Sequence, residues 1–171
     1  MAMEINEIVR RFIMRSFEHG GHVIIISPAH LLLIRRATYL PYTWGETPWQ
    51  TLYDLARFSD RVDVVTTWPP RDEKELQLIY NLAEYAKPPR SVPLYLYLAD
   101  SSVPVLLISE KEAVYEGQQL IQEEIQEELG RLRKIAKEII DHSKEVGIFE
   151  YDKIRHEYCR YFRHYDARCL F

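Results

Sequence analysis

His22-Val23-Ile24-Ile25-Ile26-Ser27-Pro28 is the stretch on which the fold turns. Its β-branched residues favour an extended chain, and no polar residue interrupts them to mark a solvent side. Such a strand needs cover on both faces, as in the interior of an α/β sheet. Pro28 ends it, because a proline has no N–H to give to a ladder. Before it, Ile5, Ile8, Val9, Phe12, Ile13 and Phe17 recur at spacings of three and four, which predicts an amphipathic helix closed by Gly20-Gly21.

After it, residues 29–37 read as a short helix and 38–48 as a loop. Trp49 to Phe58 reads as a second helix and Arg61 to Trp68 as a second strand. Pro69-Pro70 punctuates. Asp72-Glu73 then opens a helix to about Lys87, with acidic residues where the helix dipole favours them, and Pro88-Pro89 closes it. Val92 to Leu98, Val103 to Ser109 and Glu112 to Tyr115 are the remaining strands. Only Glu110-Lys111 separates the last two, so they form an antiparallel hairpin, whereas strand–helix–strand spacing makes the earlier ones parallel. The expected class is α/β: a mixed, mainly parallel sheet of about five strands flanked by helices, with a C-terminal two-helix extension.

All nine prolines fall between Pro28 and Pro104. The proline-free remainder suits helix, where an interior proline costs about 3 kcal/mol, and places a boundary near residue 117. Residues 1–117 form the α/β part. Residues 118–171 form the extension, with one long helix over 118–146 and an aromatic, basic helix over 149–168. Ile125, Leu129, Leu132, Ala136, Ile139, Ser143 and Val146 give the long helix a narrow seam. That seam fits packing on the sheet or on the next helix, and alternatively a homodimer.

The chain has 171 residues, 47% of them hydrophobic, which excludes intrinsic disorder and fits a single core. A net charge of −4 argues against a surface that is one nucleic-acid footprint. The longest apolar run, Val23 to Ile34, is too short and too interrupted to span a bilayer, and Met1 to Arg11 is charged where a signal peptide is apolar. Two cysteines, Cys159 and Cys169, make no disulfide framework, which points to a reducing compartment. The expectation is a cytoplasmic protein without membrane contact.

The element order, with the late hairpin Val-Pro-Val-Leu-Leu-Ile-Ser-Glu-Lys-Glu-Ala-Val-Tyr-Glu-Gly (103–117), resembles one half of the phospholipase D superfamily fold. More specifically, residues 3–117 are similar to the phospholipase-D-like effector domains of TrmB-type archaeal transcription regulators. Catalytic members of the superfamily carry His-x-Lys-x4-Asp on this hairpin, the histidine attacking phosphorus and the lysine helping to bind phosphate. Val103 and Val105 stand at the corresponding positions here, so the resemblance implies a copy without that hydrolytic chemistry. The only His-x-Lys, His142-Ser143-Lys144, lies on the predicted long helix and has Phe149 where the motif needs Asp.

Three residue sets are candidates for function. In α/β sheets ligands bind beyond the carboxyl ends of parallel strands. That rule selects Ser27, Thr66, Thr67 and Trp68, joined by the linker Asp100, Ser101 and Ser102 and closed over by a loop bearing Tyr42, Trp44 and Trp49. The sequence has neither Gly-x-Gly-x-x-Gly nor a Walker loop to cradle a nucleotide, so a small molecule or phosphate ester is the expected ligand and no cofactor is expected. Lys153, Arg155, Arg160, Arg163 and Arg168 interleave with aromatics and form an alternative, nucleic-acid-binding set. The aromatic spacing Tyr151, Ile154, Tyr158, Tyr161, Phe162 and Tyr165 equally fits an ordinary core-facing stripe.

Asp63, Glu110 and Glu112 are the carboxylates that a metal-dependent nuclease or phosphoesterase would use. His156-x2-Cys159-x4-His164-x4-Cys169 has zinc-knuckle spacing with His for the first Cys. On a helix these four side chains point apart, so the expectation is ordinary helix residues and no metal. The leading function is therefore a non-catalytic ligand-binding or regulatory module that self-associates, with nucleic-acid binding second and enzyme chemistry third.

Overall fold

The computed structural model describes residues 4–34, 47–116 and 118–170, with the backbone alone for 118–127. It is a mixed α/β fold. Helix α1 (Ile5–Ser16) buries Ile8, Val9, Phe12 and Ile13. Gly20 and Gly21, with φ of 63° and 76°, then turn the chain sharply through the left-handed region into β1 (His22–Ile26). A 3₁₀ turn (Ala29–Leu32) follows, and α2 (Pro48–Phe58) starts where Thr47 accepts a hydrogen bond from the Gln50 N–H at 3.3 Å. Strand β2 (Arg61–Thr67) leads to α3 (Glu73–Ala86), capped by Asp72 accepting from the Glu75 N–H at 2.9 Å. Strands β3 (Leu94–Ala99), β4 (Leu106–Ile108), β5 (Glu112–Tyr115) and β6 (Gln118–Ile121) precede α4 (Gln122–Asp141), β7 (Lys144–Glu145), α5 (Ile148–Phe162) and a 3₁₀ turn (Ala167–Cys169).

The seven strands lie in the order β6-β5-β4-β1-β2-β3-β7. Only β1–β2 and β2–β3 are parallel, and the other four pairings are antiparallel, so the sheet is mixed without being mainly parallel. The two strands absent from the sequence reading sit at its edges. Residues 118–121 and 144–145, beyond the expected boundary at 117, thus belong to the same sheet, and the helix expected over 118–146 is confined to 122–141.

Two apolar layers sandwich the sheet. Alternation assigns the side chains: Leu94 and Leu96 of β3 point to one face, Tyr95, Tyr97 and Ala99 to the other. The first face packs under α1, α2, α3 and α5. The second packs under α4, whose Leu132 and Ala136 are fully buried against Ile24, Ile26, Val65 and Leu106. Leu129, Leu132, Ala136 and Ile139 of the expected seam are therefore covered by the protein's own sheet, while the Ile125 side chain lies outside the described residues.

The aromatic tail is internal in part, for Tyr161 and Tyr165 are exposed. Tyr151, Ile154 and Tyr158 of α5 are buried, and Tyr158 stacks on Tyr80 of α3 at 4.0 Å and on Phe162 at 4.6 Å between ring centroids. Glu84 accepts from the hydroxyls of Tyr80 (2.6 Å) and Tyr151 (2.7 Å). Burial pushes the Glu84 carboxyl up, but these two hydrogen bonds together with the charges of Lys87 and Arg168 outweigh it and hold it below its ordinary value. Burial, reinforced by Glu84, lifts the Tyr151 phenol to about 12.

Cys159 and Cys169 are joined in a disulfide, contrary to their reading as ordinary helix residues. The cysteine argument for a reducing compartment falls with it. No helix among the described residues is long and apolar enough to cross a membrane.

Candidate functional site

The carboxyl ends of β1, β2 and β3 are the place where the parallel part of the sheet exposes a crevice. Here the chain partly fills it. The link from β3 to β4 must travel from the partner of β2 to the partner of β1, across three strand spacings, about 14 Å, in six residues. It runs over the ends of β2 and β1. Beneath it Ser27 is buried, its Oγ donating to the Pro28 carbonyl at 3.0 Å, and Thr66 is buried with its Oγ1 unpartnered among the described residues. Thr67 is half-buried, whereas Ser101 and Ser102 stand exposed on the link itself. Tyr42 and Trp44 lie outside the described residues, and Trp49 packs into the first-face core.

What remains open is the β3 side. A cleft of about 410 Å³ lies between the end of β3, the α4–β7 junction and the start of α5. Trp68, Leu98, Ala99 and Ile154 form its apolar floor; Trp68 is fixed by its N–H donating to the Ala99 carbonyl at 2.8 Å. The rim is charged on all sides: Asp100 from the β3–β4 link, Asp141 and Lys144 flanking the α4–β7 turn, Glu150 and Lys153 from α5. Ser143 donates to the Ile139 carbonyl at 2.6 Å and the His142 Nδ1 lies 2.7 Å from the Glu138 carbonyl, which together stop α4 and orient the turn.

Two of the strand-end residues, Trp68 and Asp100, thus meet Lys153 of the basic set in one site. Asp141, His142, Lys144 and Glu150 were not legible as site residues. Asp141, His142 and Lys144 continue the helical pattern of α4, Glu150 opens the next helix, and β7 has only two residues, both exposed, so no alternation announces it. Gly147 was the only local signal.

The rest of the basic set disperses. Arg168 points inward: it donates to Asp166 at 2.7 Å and to Asn81 at 3.1 Å, and its guanidinium lies over the Tyr80 ring at 4.8 Å. Those hydrogen bonds hold the Asp166 carboxyl well below the usual carboxylate range. Arg155, Arg160 and Arg163 lie on another face of α5.

The three carboxylates also separate. Glu112 on β5 forms a bidentate pair with Arg15 of α1, at 2.8 and 2.9 Å, and Glu110 is an exposed hairpin residue beside Gly21. Asp63 lies on the second face at the amino end of β2, its side chain only 3% exposed. It is met by His22 Nε2 at 2.6 Å, Arg61 Nε at 3.1 Å and the Tyr97 hydroxyl at 3.1 Å. Burial raises the Asp63 carboxyl, but the hydrogen bonds from His22 and Arg61 outweigh it, so the group is held below its ordinary value. Burial and then the Asp63 charge push the Tyr97 phenol up to about 12. Among the described residues no cluster of three or more His, Cys, Asp or Glu is placed to hold a metal ion, and the His156/Cys159/His164/Cys169 set is replaced by the disulfide.

Fold and cleft together define a three-layer α/β protein with a small, mixed-charge pocket beyond its last parallel strand. No family model matches the chain, and neither a curated protein nor a solved structure matches it.

Proposed function

We propose that this protein is a non-catalytic ligand-binding module whose site is the cleft beyond β3. The observation that carries the reading is the convergence of an apolar floor, Trp68, Leu98, Ala99 and Ile154, with both signs of charge on its rim. Binding pockets combine apolar walls with a few polar groups that fix orientation, at volumes of roughly 300–1,000 Å³. The ligand that suits this one is a small molecule with an apolar or planar body to lie against Trp68. Its polar ends pair with the ammonium groups of Lys144 and Lys153 and with the carboxylates of Asp100 and Asp141. The likeness of residues 3–117 to a phospholipase-D-like effector domain, with Val103 and Val105 in place of the reactive pair, points the same way. A regulatory role and self-association belong to this proposal, but the homodimer needs a surface other than the α4 seam, which the sheet already covers.

A thermal-shift screen of sugars, nucleotides, phosphate esters and amino acids, followed by calorimetry on the hits, tests it. At least one class should raise the melting temperature, with binding lost in Trp68→Ala and weakened in Lys153→Glu. A screen without hits, or hits that bind both variants unchanged, removes the site.

A further inference from the structure

A second cleft, of about 550 Å³, runs between α5 and the chain that returns beside it. At about 100° per residue, Asp152, Arg155, His156, Cys159, Arg160 and Arg163 fall within one arc of about 140° on α5. That arc faces away from Tyr151, Ile154 and Tyr158, which are buried against α3. The Cys159–Cys169 disulfide draws the returning chain along this arc, and Arg155 donates to the Arg168 carbonyl at 2.5 Å, so the two walls are tied at two points.

The cleft brings three guanidiniums and a histidine against a single carboxylate, Asp152. Among the described residues no carboxylate pairs with Arg163. Arg160 has only Glu157, at 3.2 Å in an exposed pair of the kind solvent screens to little worth. Among the described residues no Phe, Tyr or Trp lines the walls, so a run of bases has no stacking platform beyond the single His156 ring. What the walls offer is forked N–H donors, which match phosphate oxygens in geometry and charge.

We propose that this cleft binds a small phosphate-bearing anion and that the disulfide holds it in shape. It is a site separate from the cleft beyond β3, with which it shares no residue.

Calorimetric titration of the full, oxidised chain with inorganic pyrophosphate at low salt tests it. Saturable one-site binding is expected, weakened at least about tenfold by Arg163→Glu, by Arg160→Glu and by the milder Arg163→Gln, and unchanged by Lys153→Ala in the other cleft. Both arginines are exposed, and equal melting temperatures verify that the variants fold. Reduction of the disulfide should weaken binding as well; equal affinity in the reduced chain would overturn its part in the site. Absence of saturable binding, indifference to all three arginine variants, or binding of single-stranded RNA without binding of pyrophosphate would overturn the site itself.

Discussion

The two faces of the sheet are covered in different ways. Four helices lie on the first face and leave it almost wholly apolar, with Phe12, Leu52, Leu78 and Tyr80 fully buried there. On the second face α4 is the one helix among the described residues. It starts after β6 at one edge, beside the amino ends of the parallel strands, and finishes at β7 on the other edge, beside their carboxyl ends. A helix laid on that diagonal misses the corner where β2 and β3 begin. There the side chains are polar: His22, Arg61, Asp63 and Tyr97 bond to one another, and Arg61 and Arg90 lie over the Tyr95 ring at 3.8 and 4.2 Å. Where a second layer is missing, a sheet face is completed by hydrogen bonds and cation–π stacking in place of apolar cover.

The sharpest break of this contrast comes from truncating each face. Phe12→Ala should lower the unfolding free energy by about 3–5 kcal/mol, and Leu132→Ala under α4 by about 2–4 kcal/mol, both read by urea denaturation. A larger loss at Leu132 would mean that the single helix carries more of the fold than the four.

Next in size is the tie that keeps α5 on the first face. Replacing both Cys159 and Cys169 by Ser frees the turn and should cost about 2–3 kcal/mol, with the loss of hydrogen-exchange protection confined to the end of α5. Protection lost across β1 to β3 as well would show that the tail supports the whole sheet.

Asp63→Asn probes the polar corner and should cost about 1–2 kcal/mol. Its sign with pH follows from the lowered carboxyl. Between the ordinary value near 4 and the folded value the unfolded chain binds the extra proton, so stability rises with pH through that window. The contribution is full above the unfolded value and is lost as pH falls through the folded one. The wild-type acid limb should therefore be steeper than that of Asp63→Asn when melting temperature is followed from pH 6 to pH 2. Parallel curves would remove Asp63 from the account.

Arg131→Ala sets the lower limit. Its pair with Glu128 at 2.6 Å is exposed on the solvent side of α4, and its loss should change stability by less than about 0.5 kcal/mol.

Local periodicity made the elements on residues 5–116 readable. The isoleucine run of β1, the Leu/Tyr alternation of Leu94–Ala99 and the three-and-four spacing of Phe12 and its neighbours each specify an element and its apolar side. The candidate site was legible only in part. Trp68 and Asp100 follow from the strand-end rule, whereas Asp141 and Lys144 reach the cleft from the far end of a helix that crosses the sheet, and Glu150 from the start of α5.

By itself the sequence determined that this is an α/β protein with buried central strands, because side-chain pattern within a few residues decides helix or strand and which side is apolar. Only the tertiary structure decided what covers each side. The seam of α4 suits its own sheet or a second copy equally well by pattern. β6 and β7 join through backbone hydrogen bonds that no side chain announces, and the pairing of Cys159 with Cys169 depends on the chain turning back after Phe162. Apolar pattern states a need for cover; the partner is settled by where the chain can reach.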